Sequence, residues 1–150
     1  MPDRRAPWLA LTLWFECVIL LSALVAVFLP HSMMSAIHAE LGLGPLPRDT
    51  IIQYLARSLS LVYAAAGPLA GFLARDVYRY REVIAFQAYV GIVSGLGLLA
   101  LDLAIGMPTY WTLCEGPSAT ALALIVLIQV RRLPPAPPTS DRPDHDIGPH

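Results

Sequence analysis

Residues 8–29 read WLALTLWFECVILLSALVAVFL, an apolar run that stops at Pro30 and carries one charged side chain, Glu16. A helix crosses a hydrocarbon core of about 30 Å in about 20 residues, so this run spans a membrane. It exceeds the roughly 7–15 apolar residues of a secretory signal and no small-x-small cleavage site follows, which predicts a retained helix. Three further runs of similar length follow, over about 50–74, 83–105 and 108–130. Asp49 or Thr50 is placed to cap the second, Gly106 follows the third, and Pro108 suits the first turn of the fourth. The fold class predicted is all-α: a four-helix transmembrane bundle over residues 1–132.

Composition agrees. The chain has 150 residues, 56% hydrophobic and 14% charged, where soluble domains carry about 25% charged residues. A soluble enzyme is excluded on that ground. The net charge of −1 leaves no basic footprint for nucleic acid. Every basic residue is arginine; with the abundance of Ala, Leu and Pro this points to a GC-rich bacterial genome. Arg4, Arg5, Arg75, Arg79, Arg81, Arg131 and Arg132 fall on one side of the predicted spans, against Arg48 on the other. The positive-inside rule then puts both termini in the cytoplasm of a bacterial inner membrane.

Between the first two spans, Met33, Met34, Ile37 and Leu41 recur at helical spacing, with Ser35, His38 and Glu40 elsewhere on the wheel. This predicts a short amphipathic helix at the interface, serving either as a connector or as a lid. The run Gly42-Leu43-Gly44-Pro45-Leu46-Pro47 ends it. Residues 133–150, rich in Pro and Asp, read as a disordered extension; Asp144, His145 and Asp146 within it are a poor metal site. No cofactor and no metal centre is expected. Cys17 and Cys114 are too far apart for a redox pair and read as small buried apolar residues.

Function rests on the ionisable residues inside the spans: Glu16, Arg57, Asp102 and Glu115. Each costs about 2.5–3.5 kcal/mol at the bilayer centre even on insertion-derived scales. Helical periodicity sets Glu16 beside Thr12, Ala23 and Ala26, and Arg57 beside Ser60, Ala64, Gly67 and Gly71. Asp102 shares a stripe with Gly91, Gly95 and Leu98; Glu115 shares one with Ala119, Leu122 and Ala123. These are small-residue packing faces, and Gly67/Gly71 and Gly91/Gly95 form small-xxx-small seams. With a rise of 1.5 Å per residue, Arg57 and Glu115 both lie roughly 10 Å below their outer helix ends. An Arg57–Glu115 ion pair near Asp102 is the economical arrangement. Glu16 lies deeper, level with Tyr63 and without a counter-charge, so it either bonds Tyr63 or serves proton transfer, cation binding or acid chemistry. Trp111 stands one turn above Glu115. Pro68 and Pro117 should kink their helices by freeing the carbonyls of Ala64 and Leu113.

The layout over residues 8–130 resembles that of the small bacterial membrane proteins grouped as DoxX-like. The likeness comprises four spans, an outer loop after a proline and Arg57 near the start of the second span. It also includes the turn Gly106-Met107-Pro108 before the acidic Glu115. It implies the bundle fold and association with membrane redox partners, and it carries over no catalytic residue. Two functions fit these readings. One is a non-enzymatic protein: an accessory subunit of a larger membrane complex or homodimer, or a binder of a hydrophobic ligand such as a quinone or lipid. The other is a membrane enzyme or proton-coupled carrier using Glu16, Asp102 and Glu115 for acid/base work.

Overall fold

The computed structural model describes residues 5–134. They form α1 (Arg5–Ser22), α2 (Leu24–Phe28), α3 (His31–Glu40), α4 (Thr50–Leu73), α5 (Arg81–Ile105), α6 (Thr109–Cys114) and α7 (Gly116–Arg131). By length and composition, three helical stretches are able to cross a membrane: Ala6–Phe28, Arg81–Ile105 and Thr109–Arg131. The second expected span, α4, has 24 residues. Gln53, Arg57, Ser58, Ser60 and Pro68 dilute its apolar character, and it falls short of the composition the other three reach.

The first stretch is interrupted at Ala23, which the apolar run does not announce. The Ser22 hydroxyl donates to the Ile19 carbonyl at 2.6 Å, the acceptor that the Ala23 N–H would use in a continuous helix. Ala23 N–H turns instead to Leu20 O, so a local side-chain bond competes with the helical ladder. The other interruption lies at Glu115 (φ −84°, ψ −75°), between α6 and α7. Pro117 lies in the first turn of α7, and the Ser118 hydroxyl reaches the Cys114 carbonyl and, at 3.0 Å, that of Glu115. The expected distortion therefore takes the form of a helix break that supplies its own donor. Pro68, by contrast, sits inside an uninterrupted α4.

Other local expectations shift slightly. Asp49 precedes α4 but makes no side-chain cap. Gly106 closes α5 in the left-handed region at φ 78°, its N–H returning to Asp102 O. α3 forms in the loop after Pro30, with Met33, Ile37 and Leu41 exposed. Beyond it the Gly/Pro run folds back, Leu46 N–H donating to Ser35 Oγ and His38 Nδ1 lying 2.7 Å from Gly44 O.

The helices pair as α1/α2 with α4 and α5 with α6/α7. Glycines set the first pair's closeness: a Cβ on Gly67 would stand 3.0 Å from Cys17 O, and one on Gly71 3.0 Å from Cys17 Sγ. In the second pair, a Cβ on Gly91 would stand 2.9 Å from that of Ala123, and one on Gly116 2.7 Å from both Gly95 O and Leu99 N. The two seams are thus spent within the chain. Cys17 is buried, as expected, whereas Cys114 is exposed.

The two pairs meet chiefly at one end. There Leu9, Leu13, Leu73, Val77, Ile84, Val126, Val130 and Leu133 form the buried core. We call this the closed end, and the end bearing Leu29, Thr50 and Ile105 the open end. Leu133, expected to begin a disordered tail, instead packs in this core. Residues 135–150, including Asp144, His145 and Asp146, lie outside the described residues, as does Arg4.

Candidate functional site: a cavity between the helix pairs

Toward the open end the pairs part around a cavity of about 540 Å³. Four elements contribute: Phe15, Glu16 and Ile19 from α1, Tyr63 from α4, Gln87 to Leu98 from α5, and Ser118 to Val126 from α7. The walls are largely aliphatic and small. Gly91, Gly95, Ala119 and Ala123 line it, and Gly91 and Gly95 also let α5 approach α7.

Glu16 is its acidic member. The expected partner was Tyr63, which lines the same cavity, but the hydrogen bond observed comes from Gln87, whose Nε2 donates to Glu16 Oε1 at 3.1 Å. Gln87 is a polar member of the site that charge alone does not point to. Its signal was present: it stands four residues before Gly91 on the stripe of Gly95, Leu98 and Asp102, an uncharged polar side chain inside an apolar span. The Gln87 Oε1 atom is buried and has no partner among the described residues.

The other ionisable groups occupy separate places. Arg57 does not pair with Glu115. Its Nη2 donates to Leu29 O at 3.3 Å and its Nη1 to Gln53 Oε1 at 3.5 Å. Leu29 is extended and precedes Pro30, so its carbonyl lacks a helical donor and the guanidinium meets that need. Glu115 Oε2 accepts the indole N–H of Trp111, which the i, i+4 spacing made legible. Asp102 is 6% exposed and lies on the α5 face that packs against α6 and α7. Its Oδ2 meets no donor among the described residues. Neither Asp102, Glu115 nor Arg57 lines the cavity. Of the six residues singled out, the cavity gathers Glu16 and Tyr63, the break between α6 and α7 joins Trp111 and Glu115, and Arg57 and Asp102 stand apart.

The geometry offers an apolar volume with a carboxyl–carboxamide pair toward its closed end, Tyr63 level with Glu16, and the hydroxyls of Ser94 and Ser118 farther up. That pattern, apolar walls with a few polar groups that fix orientation, is how small-molecule sites are built. Comparison with protein-family models, curated proteins and solved structures gives no match.

Proposed function

We propose that this chain is a four-span protein of a bacterial inner membrane that binds an apolar small molecule, of the lipid or quinone kind, between its two helix pairs. The observation that carries the reading is the cavity of about 540 Å³ reaching the Glu16–Gln87 pair. A scaffold whose carboxylates served only to hold helices in register would have no reason to leave this volume open beside one of them. In this reading α4 is the fourth span, tolerated despite Arg57 because it packs along α1 and α2. The arginine-rich closed end faces the cytoplasm, and α3 lies at the opposite interface with Met33, Ile37 and Leu41 toward lipid. Glu16 and Gln87 orient the ligand's polar group, and Tyr63 borders it.

Acid/base chemistry shared among Glu16, Asp102 and Glu115 is less well supported, since Asp102 and Glu115 do not line the cavity. An accessory role in a larger complex is compatible with a bound ligand, but no feature of the described residues favours it. The test is purification in lipid-preserving conditions, followed by extraction and mass spectrometry of what copurifies. The wild-type chain should retain one class of apolar molecule. Ala119→Trp, which fills the cavity, should abolish retention. Glu16→Leu, which removes a polar contact of about 1.4 kcal/mol, should weaken it about tenfold. Equal retention by all three proteins would sink the proposal.

A further inference from the structure

A second concavity, of about 640 Å³, opens on a different face of α4 near the open end, and Arg57 lines it. Polar members Gln53, Tyr54 and Ser58 accompany the guanidinium; Val27 of α2 and Leu61 of α4 supply apolar walls. Their order along the helix is informative. Gln53 and Tyr54 stand one turn nearer the open end than Arg57, and Leu61 one turn deeper. Along α4 the groove is polar on the water side, at Thr50, Gln53 and Tyr54, and apolar at Leu61 on the deeper side, with the cation between them; Val27, two residues before Leu29, walls its shallow end.

That cation is unbalanced. A guanidinium has five N–H donors in a fixed fork, and Arg57 uses two of them, on neutral acceptors at 3.3 and 3.5 Å. Among the described residues it has no carboxylate partner: Glu115 is engaged by Trp111, Asp102 stands on α5 and makes no bond to it, and Asp49 and Glu40 are exposed and do not reach it. A charge at such a boundary attracts a counter-ion strongly, and the arginine fork matches the oxygens of a phosphate.

We infer that this groove binds the phosphate of an anionic amphiphile, with Arg57 taking the phosphate oxygens, Gln53, Tyr54 and Ser58 flanking it, and the first chain carbons running inward along Leu61. The groove is separate from the cavity at Glu16, though both presuppose that α4 lies in the membrane.

The experiment uses the full chain in phosphatidylcholine nanodiscs containing a minor share of phosphatidylglycerol, with bound lipid counted by native mass spectrometry. The wild-type protein should enrich phosphatidylglycerol about tenfold over its share. Arg57→Gln should abolish the enrichment, Arg57→Lys should keep part of it, and Leu61→Trp, which obstructs the chain wall without touching the cation, should reduce it several-fold. Ala119→Trp should leave it unchanged, which separates this site from the cavity. Inorganic phosphate is added in a parallel arm. If it displaces the lipid and Leu61→Trp has no effect, the phosphate is recognised without a chain and the amphiphile is overturned in favour of the free ion. Because Arg57 also holds the Leu29 carbonyl, melting of each variant is followed. Should Arg57→Gln not fold, the Arg57→Lys and Leu61→Trp pair decides. Wild-type enrichment in Arg57→Gln, or in Leu61→Trp without phosphate competition, overturns the site.

Discussion

Glycines let the paired helices approach closely. At Gly116 the obstacle to a Cβ is backbone on the facing helix, Gly95 O and Leu99 N at 2.7 Å, which cannot rotate away. Gly97, two residues from Gly95 on the same helix, has nothing within 4 Å of its would-be Cβ. Gly116→Ala should therefore cost about 1–3 kcal/mol through forced separation of α5 and α7. Gly97→Ala should be neutral or stabilising by about 0.5–1 kcal/mol through backbone entropy. Unfolding in mixed micelles measures both, and equal effects would contradict the seam. Gly91 and Gly95 were legible as a small-xxx-small pair, but Gly116 was not. It stands beside Pro117, where the sequence predicts a kink, and only the register of the antiparallel partner shows that it meets Gly95.

At the scale of the element, the four apolar runs became helices within a few residues of their expected bounds, and the interruptions were harder to read. Pro117 announced one. Ser22 did not announce the other, because a serine in an apolar helix more often bonds its own preceding turn without breaking it. Ser22→Ala frees Ile19 O for the Ala23 N–H and should join α1 to α2. Amide exchange at Ala23 should then slow by about tenfold, the equivalent of about 1.4 kcal/mol of added protection; unchanged exchange would place the cause of the break elsewhere. The same geometry bears on the site, since Leu29, which caps α2, bears the carbonyl that Arg57 holds.

At the scale of the whole molecule, packing is lopsided. The buried core gathers at the closed end, where Leu13 is 1% exposed, while Leu103 near the open end is 68% exposed. Leu13→Ala should destabilise by about 2–5 kcal/mol, and Leu103→Ala by no more than about 0.5 kcal/mol. Thermal unfolding in detergent reads the difference, and comparable losses would mean that the open end is packed as tightly as the closed one. This asymmetry leaves the cavity: two helix pairs held together at one end diverge toward the other, and no bulky side chain fills the gap. The sequence by itself determined the helices, their apolar character and the small-residue faces, because these follow from chain-local periodicity and the length needed to cross a bilayer. It also put Glu16 and Tyr63 at one level and Trp111 above Glu115, which a rise of 1.5 Å per residue suffices to show. Which polar groups meet was decided only by the tertiary structure. Gln87 reaches Glu16 across 71 positions of sequence, and Arg57 turns to a carbonyl 28 positions away instead of a carboxylate. The physical reason is that depth along a helix constrains one coordinate, whereas a hydrogen bond requires three, and the other two are set by how the helix pairs rotate and splay against each other.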